Sequence, residues 1–501
     1  MTNTKRPGIF LVLILFALAP RPLKPDFQNK ISAGLLGAMA EAQATGGKLH
    51  VWVYFRDKGE RGGAGLQGAL AEARQSLGIR CQWRRSKVRP ATNLVDYEDL
   101  PLSPSYAEQV RTRVPKVRAV SRWLNALSVE AGPDEVRALA ELDCVACLDV
   151  VRSFKRGENE VSLEPAEREA SASSSPIYGA AYAQLNQINV LPLHRQGLSG
   201  RGVLVCLLDV GFRKSHEVFR LAHLVAEHDF VFNDNDVQRN SADPNDYSDS
   251  HGTATWSLLG GFKFGQMAGP AFGADIILGK TEDDRSETPI EEDFWAAGIE
   301  WAESLGAEVV SSSLGYTDWY AFKDMDGKTA VTTKAANRAT SLGVVVVNAA
   351  GNERENSWGH IIAPADGLDV IAVGAVNSSN AIASFSSPGP TYDGRIKPEV
   401  CAQGVSDWIA QNRNDGSDYY TRGSGTSFAT PLIAGVTALL LEAHRDWTPR
   451  QVRAALMNTA GNASSPNNDF GWGIVNAAAA ANDSPASQIR EIRIPRLFLL
   501  Y

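Results

Sequence analysis

Val203-Leu204-Val205-Cys206-Leu207-Leu208 is an unbroken apolar run closed by Asp209-Val210-Gly211. Alternating polarity would mark a strand with one wet face, and this stretch has none, so it predicts a strand covered on both sides. Four further runs of this kind lie at 275–278, 308–312, 344–347 and 370–373. Between them stand segments of helical period. Thr288-Pro289-Ile290-Glu291 reads as a capping box with Pro at the first helical position, after which Phe294, Trp301 and Leu305 share a face. Thr448-Pro449-Arg450-Gln451 repeats the device before Val452 and Leu456. Short buried strands alternating with helices predict an α/β fold of three layers, α/β/α, around a parallel sheet, over residues 177–482.

Outward from that region the composition changes. Residues 157–176 are small and polar, with Ala170-Ser171-Ala172-Ser173-Ser174-Ser175 at their centre, as in an exposed linker. Residues 20–156 hold a β-α-β unit at 121–152, with strands at 123–130 and 145–151 and a helix at 133–142 that turns Val136, Leu139 and Ala140 to one side. Lys5 and Arg6 before the apolar stretch 9–19 have the layout of a secretory signal peptide spanning residues 1–19, which is too short for a membrane anchor. Residues 483–501 form a C-terminal tail. No other apolar run approaches bilayer length, so a soluble, exported protein without stable membrane association is expected.

The net charge of −8 conceals two opposite halves. Up to residue 156 there are 24 Lys and Arg against 15 Asp and Glu, and beyond it 25 against 42. The basic residues are scattered and no nucleic-acid-binding motif accompanies them, so attraction between the two parts explains the asymmetry better than nucleic acid does. Of the five cysteines, Cys144-Val145-Ala146-Cys147 has neither a second pair nor a nearby His, and reads as buried strand thiols instead of a metal site.

In open parallel sheets, ligands bind beyond the carboxyl ends of the strands. Asp209 stands there, Asn352 ends the run 344–351, and Ser427 lies in Gly425-Thr426-Ser427-Phe428-Ala429-Thr430-Pro431 ahead of an apolar helix. His251, in His251-Gly252-Thr253, follows an acidic loop. Taken singly, the Asp is a turn former, the His structural and the Ser a helix cap. Together they supply a hydroxyl nucleophile, an imidazole base, a carboxylate to orient it and an amide to meet an oxyanion.

The order Asp209, His251, Ser427 and the words around it resemble the subtilases, the subtilisin-like serine proteases; that order in subtilisin is itself a standard reference case. Supporting matches are Leu207-Leu208-Asp209, Ser313-Leu314-Gly315, Ala349-Ala350-Gly351-Asn352, Ser384-Phe385-Ser386-Ser387 and Gly471-Trp472-Gly473, so the likeness covers about residues 178–481. It implies a subtilisin-like domain with Asp209, His251 and Ser427 as triad, Asn352 as oxyanion donor, and Ser313, Leu314, Gly315 and Gly351 along the substrate. Two positions depart from the family pattern: Val210, where Thr or Ser is usual, and Ala254, where a second His is usual. Neither carries the chemistry. The likeness further implies that the small α+β region before the linker is a propeptide-like domain, chaperone and intramolecular inhibitor of its own enzyme.

The expected activity is peptide-bond hydrolysis on protein or peptide substrates, with no organic cofactor and no catalytic metal. Calcium is a common structural ion in subtilases, and Asp234, Asp236, Asp243, Asp246 and Asp249, or Asp324-Met325-Asp326-Gly327, are the places for it. The acidic stretch from Glu282-Asp283-Asp284 to Asp293 is either a solvated loop or a lure for basic substrate residues. A silent scaffold on this fold would lack a triad member, and none is missing. A serine esterase would carry Gly-x-Ser-x-Gly, whereas this nucleophile sits in Gly-Thr-Ser-Phe-Ala.

Overall fold

In the computed structural model, residues 27, 29–59, 63–151, 153–154, 176–239, 249–283, 290–318, 320–412 and 417–485 are described. The signal segment and nearly all of the linker and tail expected from the sequence lie outside them. The first unit is a four-stranded antiparallel sheet of β1 (Leu49–Phe55), β2 (Lys116–Ser121), β3 (Ala126–Ala131) and β4 (Val145–Val150), in the order β2-β3-β1-β4. Helices α1 (Ala33–Thr45) and α3 (Pro133–Ala140) share its core, and α2 (Ile79–Ser86) lies in the long β1-to-β2 connection. The expected β-α-β unit is present but split, because β1 lies between its strands and pairs Val51 with both Val129 and Val150. The sequence reading passed over β1, although Val51-Trp52-Val53-Tyr54-Phe55 is rich in β-branched and aromatic residues.

After β5 (Ser153–Phe154) comes a seven-stranded, wholly parallel sheet. Its members are β6 (Leu204–Asp209), β7 (His223–Asp229), β8 (Asp275–Lys280), β10 (Val309–Ser312), β11 (Val345–Ala349), β12 (Ile371–Val376) and β13 (Val400–Gln403), in the order β13-β12-β11-β10-β6-β8-β7. The apolar runs are explained by β6, whose side chains alternate between two cores as the period of a strand requires. Val205 and Leu207 pack with helices α4 (Ser250–Gly260) and α7 (Thr426–Ala443), while Leu204, Cys206 and Leu208 pack with α5 (Glu292–Leu305) and α6 (Val331–Ser341). From β6 the chain runs to the edge strand β7, returns to β8 beside β6, and then crosses to β10 on the other side. The switch point therefore lies between β6 and β10, beside Asp209 and Ser313. After the hairpin β14 (Asp407–Asn412) and β15 (Asp418–Gly423), α7 leads to α8 (Pro449–Thr459).

The Thr448 box forms as expected, its side chain accepting from Gln451 N at 3.3 Å at the start of α8. The box expected before α5 lies partly outside the described residues, and the part that is described is not helical. Thr288 and Pro289 lie outside the described residues, Ile290–Glu291 is a short strand, β9, and the helix starts only at Glu292. The competing interaction is tertiary: β9 pairs antiparallel with Ser153–Phe154, so backbone bonding overrides the local cap. Leu305 also leaves the apolar face, being 38% exposed at the helix end.

The two units meet across α5. Asp293 accepts from Arg118 Nε at 3.0 Å and from Ser128, Glu300 accepts from Ser121 Oγ at 3.0 Å and Arg122 N at 3.1 Å, and Glu292 accepts from Trp52 Nε1 at 3.3 Å. Deepest is Arg84 of α2, fully buried. It pairs with Glu303 and donates to the carbonyls of Glu303 (3.1 Å), Ala307 (2.7 Å) and Leu342 (3.1 Å), capping the C-terminal ends of α5 and α6 together. Arg85 pairs with both Glu303 and Asp99. Positive-to-negative pairing across the contact fits the charge asymmetry of the chain, with one reversal: Arg338 of α6 is held by Asp96, Glu98 and Asp99.

Candidate active site

Asp209 ends β6 and is 1% exposed. Its Oδ1 accepts from Val210 N at 2.8 Å and meets His251 Nδ1 at 2.6 Å, while Oδ2 accepts from Thr255 Oγ1 at 2.9 Å. A carboxylate held this way has one orientation to offer the imidazole. His251 is the second residue of α4, and the helix reaches Asp209 because residue 252 is glycine: a Cβ there would lie 2.0 Å from Gly211 O. His251-Gly252 is thus a backbone-to-backbone contact carrying a side chain into place. Thr255, one turn after His251 on the same face, was missed by sequence reasoning; the i, i+4 spacing was the available signal.

Ser427 is the second residue of α7, where backbone N–H groups have no intrahelical acceptor and the helix dipole is positive. Its Oγ donates to Ser313 O at 3.3 Å and Ser313 Oγ donates to Ser427 O at 2.8 Å, locking Ser427 to the end of β10. The ring of Phe428, the next residue, is 5.9 Å from the His251 ring, which brings the imidazole to the start of α7. The structure therefore gathers Asp209, His251 and Ser427 from β6, α4 and α7. The Asp-to-His bond is made, and the Ser427 hydroxyl points to a carbonyl across a long bond, as in many enzymes without substrate.

Asn352 follows β11. Its Oδ1 accepts from Thr426 N and Thr426 Oγ1, both at 2.9 Å, which turns its NH2 group away from Thr426. Thr426 Oγ1 also accepts from Gly351 N at 3.3 Å. A single threonine thus orients the amide and ties the Gly351 segment to α7, a second role the sequence reading missed. Ser313, Leu314 and Gly315 continue from β10 beside Ser427, and Leu314 O accepts from Asn348 Nδ2 at 3.0 Å.

The acidic stretch behaves unlike either expectation where it is described. Glu282 is 1% exposed and accepts from Tyr316 OH at 2.5 Å. Burial, and then the Glu282 charge, push the Tyr316 phenol far above its usual range, so it stays a donor. Glu292 accepts from Tyr320 OH at 2.6 Å, and Asp293 is taken by Arg118 and Ser128. These carboxylates hold the fold and the N-terminal unit. Residues 284–289 are outside the described set.

Of the aspartates expected to take calcium, Asp234, Asp236, Asp324 and Asp326 bond within their own loops or to lysine. Asp326 accepts from Lys328 N, Thr329 N and Thr329 Oγ1, and Asp324 accepts from Ala321 N, so that loop spends its oxygens on its own chain. Asp234 accepts from Asp236 N, and Asp236 pairs with Lys214 at 2.9 Å. Asp243 and Asp246 are outside the described residues. Among the described residues no three His, Cys, Asp or Glu side chains converge, and the five cysteines are unbridged, four of them buried.

The chain is similar to known proteins over most of its length. The family model described as Subtilase family matches residues 200–473, and that described as Peptidase S8 propeptide domain, Bacteroidota, matches residues 50–167. Subtilisin E of Bacillus subtilis (strain 168) is 36% identical over 374 residues, 73% of this chain and 83% of that protein. An alkaline protease of Shouchella clausii is 32% identical over 355 residues, 71% of this chain and 78% of that protein. Fervidolysin from Fervidobacterium pennivorans, described as a keratinolytic enzyme related to subtilisin, superposes with a TM-score of 0.62 at 21% identity. That match covers 88% of this chain and 62% of fervidolysin, and shows the common fold.

Proposed function

The chain belongs to the subtilase family of serine peptidases and carries a propeptide domain, and from that premise we propose that it is a secreted endopeptidase working through an acyl-enzyme and made as a self-processed precursor. The observation that carries the reading is the 2.6 Å bond between Asp209 and His251, set beside Ser427 at a helix start and an Asn352 amide fixed by Thr426. His251 Nε2 removes the Ser427 proton as Oγ attacks the peptide carbonyl, and Asp209 stabilises the imidazolium that forms. Negative charge gathering on the carbonyl oxygen is met by Asn352 Nδ2 and Ser427 N–H, donors already in place before the charge appears. The imidazolium gives its proton to the leaving amine. Water, deprotonated by His251, then hydrolyses the ester and frees Ser427. None of these steps calls for an organic cofactor.

Export rests on Lys5, Arg6 and the apolar segment 9–19, and an extracytoplasmic site of action follows from it. The propeptide domain, seated on α5 by the buried Arg84–Glu303 contact, is the enzyme's own inhibitor until it is cut and removed. Casein zymography beside an ester assay, on wild type and Ser427→Ala, tests the activity. Mass and N-terminal residue of the secreted protein test export and processing. A secreted protein of full precursor mass that still clears casein would discard self-processing.

A further inference from the structure

Resting on the peptidase reading, the structure assigns a specificity-determining role to Ile362: we propose that it fills the space meant for the side chain of the residue whose carbonyl is attacked, so that the enzyme selects Gly, Ala or Ser there. The acyl carbonyl must stand at Ser427 Oγ with its oxygen toward Asn352. The side chain one bond away then enters between the two segments flanking Ser427, namely Ser313-Leu314-Gly315, bonded to Ser427 through Ser313, and Ala350-Gly351, bonded to Thr426 through Gly351. Both segments present a glycine to this gap. The room those glycines leave is already taken.

A Cβ at Gly315 would fall 2.0 Å from Ile362 Cδ1 and 2.6 Å from Cγ1, and a Cβ at Gly351 would fall 3.0 Å from Ile362 Cγ2 and 3.1 Å from Cδ1. The isoleucine therefore bridges from one glycine to the other. Its backbone is fixed as well, Ile362 N donating to Ala350 O at 3.3 Å and the following Ala363 O accepting from Tyr316 N at 2.9 Å. Ile362 is itself 4% exposed, packed between the two glycine segments. A β-branched side chain has few rotamers to retreat into, and forcing a large group against a packed one is costly. A hydrogen or a methyl fits above Ile362, and an aromatic ring collides with it.

The test uses mature enzyme and a peptide series differing only in that residue: Ala, Leu and Phe. Wild type is expected to show kcat/KM about 100-fold higher for Ala than for Phe, the scale on which apolar pockets discriminate by size. Ile362→Gly is expected to move that ratio by about 100-fold toward Phe, and Ile362→Ala to move it part of the way. Wild type cutting after Phe within about threefold of Ala would overturn the proposal without needing any variant to fold. So would an Ile362→Gly enzyme, active on the Ala peptide, whose ratio is unmoved. Wild type that cuts none of the series and does not react at Ser427 with a fluorophosphonate would refute the peptidase reading itself, and this inference with it.

Discussion

Replacing Arg84 by Met is expected to loosen the propeptide more than any other single change at its contact. Met keeps length and apolar bulk but abandons the carbonyls of Glu303, Ala307 and Leu342 and deprives Glu303 of one of its three guanidinium partners. Breaking a fully buried ion pair on one side costs about 3 to 5 kcal/mol. Arg85 still reaches both Glu303 oxygens, at 2.8 and 2.9 Å, which argues for the lower part of that range. At ~1.4 kcal/mol per decade, the inhibition constant of a separate propeptide, roughly residues 30–156, should rise by about 10^2 to 10^3 against mature enzyme. Circular dichroism on wild-type and Arg84→Met fragments would first establish that both are folded. Salt adds a second reading. Screening falls from a length of ~10 Å at 0.1 M to ~3 Å at 1 M, so exposed pairs such as Arg338–Glu98 and Arg80–Asp275 should weaken, slowing association of both fragments. Ions cannot enter the Arg84–Glu303 contact, so the ratio between the fragments should persist. A ratio under tenfold, or one that vanishes at 1 M salt, would show that α2 is not the anchor.

Ser427→Ala should leave folded protein with turnover lowered by ~10^6, measured on a chromogenic peptide; retention of a tenth of the activity would remove Ser427 from its role. Asn352→Ala should lower kcat by ~10^2 to 10^3 with KM nearly unchanged, because its bond strengthens only as the oxyanion forms. Thr426→Val, which removes the hydroxyl bond to Asn352 Oδ1 and leaves only the backbone N–H bond to hold the amide, should cost about tenfold in kcat on the same peptide. For pH, burial first and Arg118 second lower the His50 pKa to about 4, so between there and 6.5 the unfolded chain holds a proton that the folded chain lacks. Stability of the Ser427→Ala precursor should therefore fall by up to about 3 kcal/mol as pH drops through that window, read from denaturant melts, and His50→Gln should flatten the dependence.

What could be read in advance follows from where information is local. Residues 203–209 and 425–431 carry their meaning in consecutive residues, an apolar run with its polar stop and a glycine-led helix start, and both stand where expected. β7 escaped because His223, Glu227, His228 and Asp229 break its apolar pattern, as suits an edge strand. β9 and the delayed start of α5 depend on Ser153–Phe154, far away in sequence, so no local rule could find them. Thr255 and Thr426 look like ordinary helix threonines until the carboxylate and the amide they fix are brought beside them. Asp293 reads as part of a solvated run because its arginine partner, Arg118, lies 175 residues earlier.

One strand, β6, belongs to two interiors at once, and that ties two selective pressures together. Val205 and Leu207 face the helices that carry His251 and Ser427, whereas Leu204, Cys206 and Leu208 face the helix on which the propeptide sits. A change in bulk on the maturation side is transmitted through a backbone only one residue thick to the strand end that holds Asp209. Sequence drift on that side is therefore not free. Lineages that remodel their propeptide seat should also carry compensating changes across the strand, so that covariation in an alignment of relatives would couple Leu204, Cys206 and Leu208 to Val205 and Leu207 more strongly than any edge strand of the sheet is coupled to its neighbour.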